Sequence, residues 1–262
     1  AVQNFAFNFT KHMSQYGVKS EDLAHIKMAH SNHASNNPKA LMKQRVTVQD
    51  VMDSRWIIRP VAHLLDCCLE TDNATCIIVT SAERSRNLRQ TPINILGAQG
   101  RGTKPGGDFH VQHGDLGRVA GHYVGPRIFE LAGVKHEDID VTGCYDAFTY
   151  TVLLQLESYG WCKPGEGKDY VKSGVINLGG KVPNNTSGGH LCEAYTHGMN
   201  MVIENVRQLR GTIDDYCPNA ANGEHTYDYS EGGCRQIKDA EISMNMGWGT
   251  PAVGSALIMR RG

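Results

Sequence analysis

The stretch Asn177 to Gly198 reads N-L-G-G-K-V-P-N-N-T-S-G-G-H-L-C-E-A-Y-T-H-G, and the rest of the chain is organised around it. Two glycine pairs, Gly179-Gly180 and Gly188-Gly189, bracket the polar turn Asn184-Asn185-Thr186-Ser187, and Tyr195, His197 and Gly198 follow. Paired glycines mark places where backbone must approach backbone or a ligand, because no Cβ stands in the way. A plain surface turn needs no such set. A Gly-rich connection without chemistry is the simpler alternative.

With 262 residues the chain lies between one large domain and two ordinary ones, long enough to bury a real core. Apolar residues at 40% and charged residues at 20% describe a globular protein. A net charge of -1 argues against a nucleic-acid surface. The one basic cluster, Arg84, Arg86 and Arg89, fits a solvated helix face. No apolar run approaches the roughly 18 residues of a membrane span, and no secretory leader is expected before the first element. The eight cysteines lack a C-x-x-C and are expected to be reduced, mostly buried thiols in a cytoplasmic protein. No metal site is expected either: His30-x-x-His33 and His110-x-x-His113 lack a second pair of ligands and fit solvated or hydrogen-bonded histidines better.

Periodicity predicts a helix through Phe5, Phe9, His12, Met13 and Tyr16 with Gly17 closing it, and a second helix from Ser20 carrying Leu23, Ile26 and Lys27. His30 to Pro38 is polar and predicts a loop; Thr47 caps a short helix. Ala74 to Thr80, A-T-C-I-I-V-T, is continuous and β-branched, which predicts a strand buried on both faces. Ser81 caps a helix through Leu88, and Ile93 to Leu96 reads as a strand. Five glycines and a proline between Gly97 and Gly107 predict a boundary, dividing the chain into residues 1–107 and 108–262. Leu116 to Ala132 is helical in period. Ile139 to Asp146 is a strand that ends at Tyr145 and Asp146, before an apolar helix from Ala147 to Tyr159. The carboxyl end of a strand is where α/β proteins hold their ligands. Met199 to Leu209 reads as a helix and Ala252 to Met259 as a strand, and the alternation argues a layered α/β fold.

Asn36-Asn37-Pro38, Cys144-Tyr145-Asp146-Ala147-Phe148, Tyr159-Gly160-Trp161, Asn185-Thr186-Ser187-Gly188-Gly189, Glu204 to Gly211 and Asn245-x-Gly247-x-Gly249 together resemble the thiolase superfamily, in its sterol-carrier-protein-x and lipid-transfer-protein-like branch. The resemblance runs over nearly the whole chain. It implies a thiolase fold, layered α/β/α/β/α, with the first half incomplete: residues 1 to about 96 resemble the connecting region and the end of that half, and residues 108–262 the second half. No segment resembles the neighbourhood of the family's nucleophilic cysteine.

The departures from the family pattern carry the chemistry. Tyr195 stands where the family's Gly-His-Pro histidine belongs, Tyr145 replaces the His or Asn that precedes the acidic residue, and Met244, Asn245 and Met246 precede Gly247 where a cysteine is usual. Ala147 stands where one branch of the family has a further cysteine, and without those thiols a Claisen reaction lacks its acid and base. Two phenols suit a reaction that forms an acyl-CoA enolate without acylating the enzyme, because a phenol can donate to the enolate oxygen and relay a proton. The pattern is similar to that of bacterial steroid side-chain-cleaving aldolases, which implies retro-aldol cleavage of a β-hydroxyacyl-CoA to a ketone and propionyl-CoA, with Tyr195 as base and Tyr145 as enolate donor or acid, or the reverse. Asp146, Gly188, Gly189, His190 and His197 are the candidate substrate-binding residues; Asp146 either orients Tyr145 or caps the helix at Ala147. The resemblance also implies a homodimer, a small OB-fold partner, and no cofactor beyond the coenzyme A of the substrate. A conventional thiolase and a non-catalytic acyl-CoA or lipid-binding subunit are the competing readings.

Overall fold

The computed structural model describes residues 2–102, 119–213, 234–250 and 252–262. Helix α1 (Val2–Tyr16) buries Phe5, Phe9 and His12 and closes at Gly17, whose φ of 65° lets its N–H reach the Met13 carbonyl at 2.9 Å. Helix α2 (Ser20–Ser35) continues through His30, where polar composition predicts a loop. Leu23, Ile26, Lys27, His30 and Ala34 fall three or four residues apart, so one buried stripe runs through the polar segment. Thr47 caps α3 (Val48–Asp53), and β1 (Trp56–Ile58) pairs with β2 (Ala62–His63). Ser81 caps α4 (Ala82–Ser85), which ends short of Leu88.

The sheet is built from β3 (Ile93–Gly102), β4 (Val141–Cys144), β5 (Ile242–Thr250) and β6 (Val253–Arg261), in the order β3-β6-β5-β4. Only the β4–β5 pair is parallel. Between β3 and β4 lies α5 (Gly121–Ala132); between β4 and β5 lie α6 (Thr149–Ser158), α7 (Gly167–Lys172), α8 (Gly189–Cys192) and α9 (Met199–Arg210). Side chains alternate along β5 and β6 as the pleat requires. Met244, Met246, Ala256 and Ile258 join Val124 and Ile128 of α5 in the main core, whereas Leu257 and Met259 meet Leu209, Val202 and Val206 of α9 on the opposite face. The result is a helix–sheet–helix layering of the expected α/β class. All ten residues of α6 are buried, and rings of Phe9, Tyr150 and Phe148 stack beside it at 5.2 Å.

A further expectation is corrected. Ala74 to Thr80 forms no strand: Ile78 is 87% and Val79 71% exposed, and Cys76 is an exposed thiol. A continuous apolar strand is buried only when both its faces are covered, and no described residue pairs with this run. The glycines from Gly97 to Gly102 lie within β3, which runs on beyond Leu96. A Cβ at Gly97 would lie 3.1 Å from Ile128 Cδ1, so the absent side chain lets α5 settle onto the strand. The expected division at residue 107, the start of the helix predicted from Leu116, and His110 and His113 lie outside the described residues.

The bend at Gly179-Gly180 follows the close-approach logic of the sequence. A Cβ on Gly180 would press against the carbonyl oxygens of Gly174 and Val175, which are backbone and cannot swing aside. Gly180→Ala is expected to cost about 1–3 kcal/mol in urea unfolding. Gly100→Ala, where nothing lies within 4 Å, is expected to stay within about 0.5 kcal/mol of the parent.

Candidate active site

The polar turn that follows this bend is buried. Asn184, Asn185, Thr186 and Ser187 are each at most 2% exposed, because the turn closes the open edge of β4. Thr142 N–H donates to the Pro183 carbonyl at 2.9 Å, and Asn185 N–H to the Thr142 carbonyl at 3.0 Å. The Asn185 carboxamide continues the ladder: its Oδ1 accepts from Cys144 N at 2.7 Å and its Nδ2 donates to the Cys144 carbonyl at 2.9 Å. An edge that would otherwise expose unpaired backbone groups is thereby satisfied. Asn185 adopts a left-handed φ of 49° to do so, a conformation asparagine tolerates better than most residues. Tyr145 and Asp146 leave the strand from this pinned end.

Asp146 is fully buried and gathers the site. Its Oδ1 accepts the His190 backbone N–H at 2.8 Å, its Oδ2 accepts the Leu191 N–H at 3.4 Å, and His30 Nδ1 lies 3.1 Å from Oδ2. His190 Nδ1 lies 3.1 Å from Oδ1. Gly198 N–H donates to His190 Nε2 at 2.8 Å, so the ring proton belongs on Nδ1, facing the carboxylate. Burial pushes the Asp146 carboxyl up, but the hydrogen bonds from His190 and His30 outweigh it and hold the group well below the usual carboxylate range. Of the two expected roles, capping α6 is excluded, since that helix begins at Thr149 with Phe148 in the cap position. The carboxylate accepts instead from the first N–H groups of α8, across space.

The two tyrosines meet. Tyr145 and Tyr195 are joined hydroxyl to hydroxyl by a short hydrogen bond, with their rings edge to face at 6.2 Å. His190 lies beneath both, 5.1 Å from the Tyr145 ring and 4.5 Å from that of Tyr195. His197, held at a left-handed φ of 49°, stacks on Tyr145 and places Nδ1 3.5 Å from the Tyr195 hydroxyl. Burial raises the pKa of both phenols. Their mutual hydrogen bond separates the two phenols, pushing Tyr145 further up and Tyr195 back down, and either hydroxyl can be its donor.

Four of the candidate substrate-binding residues are enclosed by the protein. Asp146 and His190 are fully buried. Gly188 N–H is engaged by the Asn185 carbonyl at 2.8 Å and Gly189 N–H by Ser187 Oγ at 3.4 Å, which leaves neither free for an oxyanion. A Cβ on Gly189 would occupy the position of Asp146 Oδ2, so this glycine makes room for the carboxylate. His197, in contrast, is exposed, packs on both tyrosines and lines a cavity of about 390 Å³.

Sequence reasoning missed His30, although its spacing from Ile26 and Leu23 extends the α2 stripe to it. It also missed the strap of residues 67–71. There Cys68 N–H donates to the Ala147 carbonyl at 2.9 Å, Leu69 N–H to the His190 carbonyl at 3.0 Å, and Tyr195 N–H to Thr71 Oγ1 at 2.9 Å. Burial pushes the Cys68 thiol up to about 12, so it remains a thiol beside the tyrosines rather than a nucleophilic thiolate.

The Asp146 network makes a pH-dependent contribution. A carboxylate whose folded pKa lies below its unfolded value of about 3.9 stabilises the fold above that value, and loses its contribution as the pH falls through the folded pKa. Asp146→Asn is expected to cost about 3–5 kcal/mol at pH 7 and to flatten the acid limb of the stability profile, read by urea unfolding between pH 7 and pH 3. An unchanged acid limb would contradict the assignment.

Residues 107–233 match the family described as Thiolase C-terminal domain-like. The chain is 42% identical over 206 residues to a 17-hydroxy-3-oxo-4-pregnene-20-carboxyl-CoA lyase of Mycobacterium tuberculosis, covering 77% of this chain and 53% of the relative. It is 42% identical over 209 residues to a steroid side-chain-cleaving aldolase of Thermomonospora curvata, covering 77% and 52%. A solved Ltp2-ChsH2(DUF35) aldolase superposes with a TM-score of 0.83 at 33% identity, over 99% of this chain and 63% of that one. Human mitochondrial 3-ketoacyl-CoA thiolase, at 12% identity and a TM-score of 0.64, shares the fold. The chain spans about half the length of the curated relatives it matches. On these similarities and the layered fold, the chain belongs to the thiolase superfamily, in its sterol-carrier-protein-x and lipid-transfer-protein-like branch.

Proposed function

We propose that this chain carries the acid–base half of a thiolase-like carbon–carbon lyase, which cleaves a β-hydroxyacyl-CoA with a steroid-like side chain by a retro-aldol reaction to a ketone and propionyl-CoA. The observation that carries the proposal is the hydroxyl-to-hydroxyl contact of Tyr145 and Tyr195, packed against His197 of a cavity wall, with the neighbouring Cys68 held as a thiol. The names of the relatives, a CoA lyase and an aldolase, support the same reaction class.

The chemistry follows the neighbours of that contact. Tyr195 is the member of the pair whose hydroxyl has His197 Nδ1 within 3.5 Å, so it is the one assigned as base. As the β-hydroxyl proton moves to Tyr195, the β-carbon–oxygen bond becomes a carbonyl, the Cα–Cβ bond breaks, and its electron pair passes into the thioester enolate. Tyr195 is itself protonated in the resting site, so it accepts only as it hands its own proton to His197 Nδ1, 3.5 Å away. Tyr145 donates to the enolate oxygen, and the relay returns one proton to Cα. Atoms balance without free coenzyme A, oxidant or metal. The only coenzyme in the proposal is the one esterified to the substrate.

The same proposal includes a homodimer, a small OB-fold partner and a cytoplasmic setting. The paired designation of the solved Ltp2-ChsH2(DUF35) aldolase supports a second component. Among the described residues no helix is long and apolar enough to cross a membrane.

The test is turnover by the complete protein, with any co-purifying partner, on a branched β-hydroxyacyl-CoA in the absence of free coenzyme A. A ketone and a shorter acyl-CoA are expected, and Tyr195→Phe is expected to lower kcat by about 10²–10⁴ with its melting curve unchanged. Turnover only of a β-ketoacyl-CoA, and only with free coenzyme A added, would establish a thiolase instead.

A further inference from the structure

We propose that Asn245 is a substrate-contacting residue whose carboxamide N–H donates to the β-oxygen of the acyl chain, an inference that rests on the lyase reading above. Asn245 lies on β5 beside Gly143 of β4, in the parallel register of the two strands. Its side chain is 7% exposed and points toward α9. There Asn205 Nδ2 donates to Asn245 Oδ1 at 3.1 Å and also lies 3.4 Å from the Met244 carbonyl, which fixes the orientation of the Asn245 amide. Its Nδ2 is thereby turned over Gly143, at the place a Cβ of residue 143 would otherwise fill. No described residue accepts a hydrogen bond from it.

A carboxamide donor without a protein acceptor takes its hydrogen bond from whatever occupies the cavity it faces. Nδ2 stands in the wall of the 390 Å³ cavity that His197 also lines, and His197 packs on both tyrosines. The remaining walls are largely apolar, with Met199, Met201, Val202, Ala256 and Leu257 among them. Such a space takes an apolar group that carries one oxygen acceptor close to the reacting end. In a β-hydroxyacyl chain the β-oxygen is that acceptor. It develops negative charge as its proton leaves, and a preorganised N–H aimed at it stabilises the developing alkoxide and then the ketone. Gly143 is part of the device: a side chain there would meet the Asn245 amide and Met201 Cβ and close the cavity.

The experiment is equilibrium binding of two matched ligands, a branched β-hydroxyacyl-CoA and its β-deoxy analogue, to the complete protein in a Tyr195→Phe background so that neither is consumed. Asn245→Leu is expected to weaken the hydroxy ligand about 3- to 10-fold and the deoxy ligand less than about 2-fold. Because Asn245→Leu leaves Asn205 with one partner fewer, the Asn205→Leu/Asn245→Leu pair is measured alongside it, with both polar groups replaced, and the same selective loss is expected. Equal loss for both ligands, or loss for neither, would overturn the assignment. Failure of the parent protein to cleave the hydroxy ligand would instead overturn the lyase proposal and leave this comparison of affinities readable.

Discussion

The buried carboxylate of Asp146 is the constraint on which the site depends. It sits at the end of β4 and is held by two backbone N–H groups of α8 and two imidazoles, one from α2 and one from α8. Its charge can be buried only because these donors replace water. The consequence is geometric: α2, β4 and α8, which are far apart in sequence, are fastened at one point. Each neighbour then transmits the constraint outward. His190 holds Gly198 N–H with its far nitrogen, which fixes the turn bearing His197, and its ring lies under both phenols. Tyr145, adjacent in the chain, and Tyr195, reached through the Thr71 strap, are thereby brought hydroxyl to hydroxyl.

The layering was legible where hydrophobic period and local geometry agreed. The α1 helix with its Gly17 stop, the α9 helix after Gly198, and the strand that delivers Tyr145 are all present. Errors fall where a local signal lacked its tertiary partner. Polar composition ended α2 too early because the partners of His30 and His33 lie at positions 146 and 184 and at positions 185 and 178 respectively. The run from Ala74 to Thr80 has every local property of a buried strand and no strand beside it among the described residues. Strand β5, whose Met, Asn and Gly residues have weak strand preference, went unread because its stability comes from β4 and β6 on either side.

In the site, residue identity was more legible than role. The tyrosines stand out because they replace the family's usual imidazole and amide, and position alone predicts that they face one substrate. Which surrounding groups touch a ligand depends on burial and on where each N–H points, and neither is visible in a string of letters. Gly188 and Gly189 are candidate substrate-binding residues in sequence, and their N–H groups are engaged within the turn. Asn245 shows the reverse case: an ordinary strand residue in the sequence, it becomes informative only once its amide is seen without an acceptor in a cavity wall.

The central claim is that the tyrosine pair generates an enolate without acylating the protein, and exchange of the Cα hydrogens of propionyl-CoA in heavy water tests it most directly. The account predicts deuterium uptake at Cα by the complete protein, no acyl adduct on the polypeptide by intact-mass measurement, and loss of uptake in Tyr145→Phe. Uptake that survives Tyr145→Phe, or an acyl group recovered on a cysteine, would contradict it.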